Sequence, residues 1–214
     1  MSSVSGLVAP KLAEEFPGLR LIWTVVEARR HGRSREVERR LRGLSDRYRG
    51  AGVVAMRTQP IPHAYRAFFR QVGLDPDSAR IPSEAAAVGR LLRGRFESRG
   101  ALADALLIAL VETGVPVWAL DADGTDVDSL GIRTAASGER LGRGAEGSLP
   151  LTAGQLVVAD GSVVHATLFG EPAPGRSPGA HAGRIVLFAV GVDGVPAIHV
   201  EEALWVAADV LGTS

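Results

Sequence analysis

The sequence predicts an α+β fold: one domain with a mostly antiparallel sheet and a central buried helix. Helical periodicity dominates the first half of the chain, and strand-like runs dominate the second. Asp160-Gly161, set between two alternating apolar runs, is the strongest hairpin signal. The stretch "GALADALLIALVETG" is apolar on nearly every face and so belongs inside, with Asp104 as its only internal charge and Gly114 as its stop. At 214 residues, 46% hydrophobic and 22% charged, the chain can bury a real core. The expected organisation is an N-terminal arm over residues 1–15 and a domain over 16–214.

In chain order, "LRLIWTVVEA" from Leu19 reads as a buried strand. An amphipathic helix follows from Ser34, with Val37, Leu41 and Leu44 inward, and a short helix around "PHAYRAFFRQVG" ends at Gly73. In "LDPDSARIPSEAAAVGRLLRG", Ser83 is placed to cap orphan N–H groups and Glu84 to meet the positive end of the macrodipole. Val88, Leu91 and Leu92 supply an apolar stripe there, and Gly94 a left-handed stop. Strands are expected at "VPVWALD", "LGIRTAA", "GQLVVADGSVVHATLF" and "RIVLFAVGV", before "AIHVEEALWVAADVL" closes the chain as a helix. "GRGAEG", Gly142 to Gly147, matches G-x-G-x-x-G. Because "SLPLTAGQ" follows it where a dinucleotide fold needs a helix, it reads as a loop.

Composition removes several chemistries. Without cysteine there is no disulfide, thiolate zinc site or cysteine nucleophile. Lys11 is the only lysine, so a Walker A loop has no lysine to place, and a Schiff-base lysine would have to come from the N-terminal arm. No apolar run is long enough to span a membrane and no basic leader opens the chain, so the expected setting is cytoplasmic. Net charge is zero but unevenly spread: residues 1–99 hold 19 basic and 10 acidic residues, and residues 100–214 hold 5 and 14. The basic excess lies mostly between Arg29 and Arg49, a stretch that also contains Arg30, Arg33 and Arg47. Arg39, Arg40 and Arg42 could form a phosphate-tracking face. They could equally line a solvated helix, with Glu36–Arg40 and Glu38–Arg42 paired at i,i+4.

The order of the pieces "FFRQVGLDPDSARIPSEAA", "ALADALLIALVETGVPVWALDAD", "GIRTAASGERL" and "LTAGQLVVADGSVVHA" resembles the tRNA-editing domain of phenylalanyl-tRNA synthetase β subunits, in a free-standing form. The resemblance runs from about Phe16 to Leu204. It implies an α+β sandwich and a pocket that receives the aminoacylated 3′ end of a tRNA and hydrolyses the ester of a wrongly attached amino acid. It also implies that Arg80, Ser83 and Glu84 belong to the family motif, and that neither metal nor cofactor is needed. The chain departs from free-standing relatives at Leu107, where they carry an asparagine, and at "HATLFG", where they carry a Trp-Asn-Trp-Arg-like run. Both changes imply a less polar site.

His165, at the end of a hairpin strand, is the candidate for positioning a catalytic water, against a structural role in the strand. Asp104 on an apolar helix needs a partner, and Arg80 is the expected one, in a structural salt bridge, against a role for Asp104 as a catalytic acid. His181, in "GRSPGAHAGR", could reach a terminal adenosine or merely occupy a surface loop. Glu171 sits in "FGEPAPG", a segment stiffened by Pro172 and Pro174 that reads as a lid. Three functions therefore compete: an aminoacyl-tRNA deacylase acting in trans, a non-catalytic module that binds RNA or an amino-acid derivative, and an esterase or amidase on a small aminoacyl compound.

Overall fold

A computed structural model of the chain describes residues 2–27, 34–48, 50–142, 148–179 and 181–213. Arg29, Arg30, Arg33, Arg49 and most of the Gly142–Gly147 loop lie outside the described residues. In chain order the elements are β1 (Val4–Ser5), β2 (Leu7–Val8), α1 (Pro10–Glu15), β3 (Arg20–Glu27), α2 (Arg35–Arg47), α3 (Gly50–Met56), α4 (Pro60–Gln71), α5 (Pro82–Arg93), α6 (Ala101–Thr113), β4 (Val117–Asp121), β5 (Gly131–Thr134), β6 (Leu156–Ala159), β7 (Val164–Thr167), β8 (Arg184–Gly191) and α7 (Ala197–Thr213). The fold class is α+β with mostly antiparallel sheets. The chain packs as two compact units, one from Met1–Ala28 with Trp118–Val190, the other from Arg29–Val117 with Gly191–Ser214.

The first unit holds two four-stranded sheets, in the orders β1-β3-β8-β4 and β2-β5-β6-β7. β1 pairs antiparallel with β3, β2 pairs parallel with β5, and β5, β6 and β7 form an antiparallel meander. Residues 4–8, part of the expected arm, thus contribute a strand to each sheet. The crossing occurs at Gly6, where a Cβ would lie 2.6 Å from Leu21 Cδ2 and 2.8 Å from the Leu130 carbonyl oxygen, so only glycine fits. The apolar runs that predicted strands do so because both faces are covered: β8 is buried from Ile185 to Gly191, and Leu120, Ile132, Val158 and Val186 fill the interior. The hairpin turns at Asp160–Val163, as the Asp-Gly signal predicts, with a register shift between Val158 and Ala159.

The second unit is helical. Ser34 caps α2 by accepting from the Val37 N–H, and Val37, Leu41 and Leu44 are buried as their spacing requires. α6 packs against α2, α5 and α7. It ends in a left-handed Gly114 (φ 77°), and α5 ends in a left-handed Gly94 (φ 81°).

The start of α5 departs from expectation. Pro82 occupies the first turn and Ile81 is the N-cap, so Ser83 caps nothing. The buried face is Ser83, Glu84 and Ala87, whereas Leu92 of the expected apolar stripe is 83% exposed. A buried ion pair at Glu84 turns the helix away from the face that hydropathy alone selects.

Candidate functional site

The residues singled out in the sequence divide between the units. Arg39, Arg40, Arg42, Arg80, Ser83, Glu84 and Asp104 belong to the helical unit, and His165, Glu171 and His181 to the sheet unit.

Glu84 is 5% exposed and faces Arg66 of α4, itself 6% exposed, whose Nη1 donates to both carboxylate oxygens at 2.9 Å. The Arg66 Nη2 donates to Asp77 at 2.8 Å, and Arg57 reaches Asp77 at 3.2 Å and Glu84 at 3.7 Å. The hydrogen bond from Arg66 holds the Asp77 carboxyl below the ordinary aspartate range, and the same bond raises the Arg66 guanidinium. Asp75 fixes the preceding turn, accepting from the Asp77 N–H and the Ser78 hydroxyl. The "LDPDSARIPSE" stretch is therefore a clamp on a buried arginine. Sequence reasoning missed Arg66 because "AYRAFFR" reads as a helix with solvated arginines, and nothing local tells that one of them points inward.

Ser83 is 6% exposed, its hydroxyl has no hydrogen-bond partner among the described residues, and it forms part of the wall of a cavity of about 270 Å³ with Tyr48, Met56, Ile61 and Thr113. Arg80 is exposed and makes no ion pair among the described residues. The expected Asp104–Arg80 pair does not form. Asp104, 3% exposed, instead accepts from the Ser98 hydroxyl at 2.6 Å and the Arg99 N–H at 2.7 Å. A buried carboxylate can be satisfied by local donors as well as by a cation, and here the connection before α6 folds back to supply them.

On α2, Arg40 makes a bidentate pair with Glu112 of α6, at 2.8 and 2.6 Å. That bond raises its pKa. Arg39 and Arg42 are exposed and carry no ion pair among the described residues. The i,i+4 pairing expected for Arg40 thus yields to a tertiary partner, and two of the three arginines keep their charge facing solvent.

In the sheet unit, His165 lies in β7 and is fully buried, with its Nε2 2.9 Å from Asp160 Oδ2. Burial pushes the Asp160 carboxyl up. The N–H groups of Ser162, Asp126 and Val163, together with His165, outweigh it and hold the carboxyl well below its usual range. An ionised Asp160 only accepts hydrogen bonds, so the His165 Nε2 is the protonated, donating nitrogen. The imidazole is thereby locked to the hairpin turn five residues back. Ala173 donates its N–H to the His165 carbonyl, so the "FGEPAPG" segment folds alongside β7 and leaves Glu171 exposed. Phe169 in the intervening turn has φ 63°, uncommon for an aromatic residue, and its ring lies 6.0 Å from Trp118. His181 is exposed. Among the described residues no group of acidic and histidine side chains could hold a metal, and no helix is long and apolar enough to cross a membrane.

No family model matches the chain, and no curated protein matches it.

Proposed function

We propose that this chain binds the aminoacylated 3′ end of a tRNA and hydrolyses the ester of a mischarged amino acid in trans. The reading starts from the resemblance to the phenylalanyl-tRNA synthetase editing domain, and one observation carries it further: Arg39 and Arg42 stand exposed on α2 without carboxylate partners among the described residues, a face suited to phosphates. Hydrolysis of an activated ester needs only a held water and donors to the developing oxyanion.

A second reading, a binding module without turnover, is favoured by the complete burial of His165 and its bond to Asp160. A group that positions an attacking water must be reached by that water. A panel of correctly and wrongly charged tRNAs distinguishes the two. Release of one amino acid above the spontaneous rate establishes the hydrolase. Salt-sensitive tRNA binding without release establishes the module, and the absence of both removes tRNA as the ligand. In the hydrolase case, a folded His165→Ala variant that keeps full single-turnover activity excludes His165 from the chemistry.

A further inference from the structure

Residues 35–47 and 90–99 together carry nine arginines against four carboxylates, Glu36, Glu38, Asp46 and Glu97. Arg40 is neutralised by Glu112, which leaves a clear excess of positive charge. Arg35, Arg39 and Arg42 follow one another at i, i+4 and i+7 on α2, and all three are exposed. Arg93, Arg95 and Arg99, in the last turn of α5 and the connection to α6, are exposed as well. Only Arg95 among these six has an ion-pair partner among the described residues, Glu97 at 3.5 Å.

The two segments are held together by hydrogen bonds, one of them buried. Ser45, 5% exposed, accepts from the Phe96 N–H at 2.8 Å across 51 residues of sequence, and its carbonyl accepts from Arg90 Nε at 2.9 Å. The Phe96 ring meets Tyr48 edge-on at 5.9 Å. Between the segments lies a pocket of about 350 Å³, formed by Leu41 and Phe96 with Arg42 and Arg95 on one hand and Glu38 and Glu97 on the other. Two arginines on a pocket that also presents two carboxylates, within a basic surface, suit a ligand whose phosphates lie outside and whose base offers N–H donors within. Glutamate accepts from exocyclic amino groups, as of cytosine, and would repel an acidic peptide at the same place.

We propose that α2 and the α5–α6 connection form a single RNA-binding surface, with this pocket taking one unpaired nucleotide whose base carries an exocyclic amino group. The proposal rests on the aminoacyl-tRNA reading and names the surface that would hold the nucleic acid. Half of that surface is invisible to any reading that treats Arg29–Arg49 alone as the basic segment.

The test is fluorescence anisotropy with labelled tRNA and with oligo(C), oligo(A) and oligo(U) ribonucleotides, over a series of salt concentrations. Arg93→Glu/Arg95→Glu should weaken tRNA binding at least tenfold. It should also flatten the salt dependence by about 1.4, since each lost single-strand phosphate contact removes about 0.7 from the slope. Wild type should prefer oligo(C) and oligo(A) to oligo(U). Glu38→Gln/Glu97→Gln should erase that preference, because a carboxamide both donates and accepts. Circular dichroism on the same samples checks folding, and Arg93→Gln/Arg95→Gln reads the same slope in a milder form should the reversal perturb the fold. Salt-dependent tRNA binding that survives both arginine variants unchanged overturns this surface while leaving the proposed function standing. Failure of the wild type to bind tRNA at all removes both. Competition by poly-glutamate as effective as that by RNA assigns the surface to an acidic protein and overturns the proposal.

Discussion

Arg66 shows how one buried charge can decide the conformation around it. Its guanidinium is met by Glu84, Asp77 and the Pro76 carbonyl, so removal of Arg66 leaves buried Glu84 with only Arg57 at 3.7 Å, and removal of Glu84 takes from buried Arg66 its one buried counter-charge. Each of Arg66→Ala and Glu84→Ala should cost about 3–5 kcal/mol in urea unfolding, with the double variant costing less than the sum. Arg80→Ala, at an exposed position two residues before the helix, should stay within about 0.5 kcal/mol of wild type. Equal losses at Arg66 and Arg80 would contradict the network. Asp160 makes a different prediction because its folded pKa is depressed. Its ionised form is favoured by folding, so its contribution is complete above the unfolded value of about 3.9 and is lost as pH falls below it. Between about pH 5 and pH 2 wild-type stability should therefore fall more steeply than that of Asp160→Asn. Parallel acid profiles would mean that the turn N–H groups do not select the carboxylate.

At the level of elements, the effect of a glycine in the helical unit depends on the backbone conformation it holds. Gly43 sits inside α2 with open space where a Cβ would be, whereas Gly94 ends α5 at φ 81°. The same substitution should thus act in opposite directions. Gly43→Ala removes unfolded-state entropy and should stabilise by about 0.5–1 kcal/mol, and Gly94→Ala forces an L residue into the left-handed region and should destabilise by about 1 kcal/mol. Thermal denaturation of the two variants reads this directly, and a shift of the same sign in both would overturn it. Since Gly43→Ala alters no charge on α2, the proposed tRNA binding should be unaffected by it.

For the whole molecule, linear charge is a poor guide to surface charge. The two halves of the sequence carry +9 and −9, yet α7 returns to the helical unit and brings Glu201, Glu202 and Asp209 with it. Arg40 lies 3.7 Å from Asp209 as one consequence. α7 also covers α6 with Val200, Ala203, Leu204, Ala207 and Val210, all buried. A chain ended at residue 196 would expose Ala105, Ile108 and Ala109 of α6 to water, or force them to repack. Such a chain should lose its cooperative thermal transition in calorimetry. A truncated protein that melts as sharply as the full chain would show that α7 is dispensable to the unit.

The sequence by itself determined the features whose causes are local. Val37, Leu41 and Leu44 mark the inner face of α2, Ser34 starts that helix, Gly94 and Gly114 stop theirs, and Asp160-Gly161 turns the hairpin, because periodicity, capping and left-handed backbone act over a few residues. The residues of the candidate site were legible as types but not as partners. Asp104 was rightly expected to need satisfaction, but Ser98 and Arg99 supply it in place of Arg80. Arg40 was expected to pair on its own helix, but Glu112 lies closer in space. Tertiary structure alone chose Arg66 over its neighbours as the buried cation and set Arg95 beside α2. A charge pairs with whatever counter-charge or donor folding brings within reach, and that choice depends on packing between elements, which no local pattern encodes.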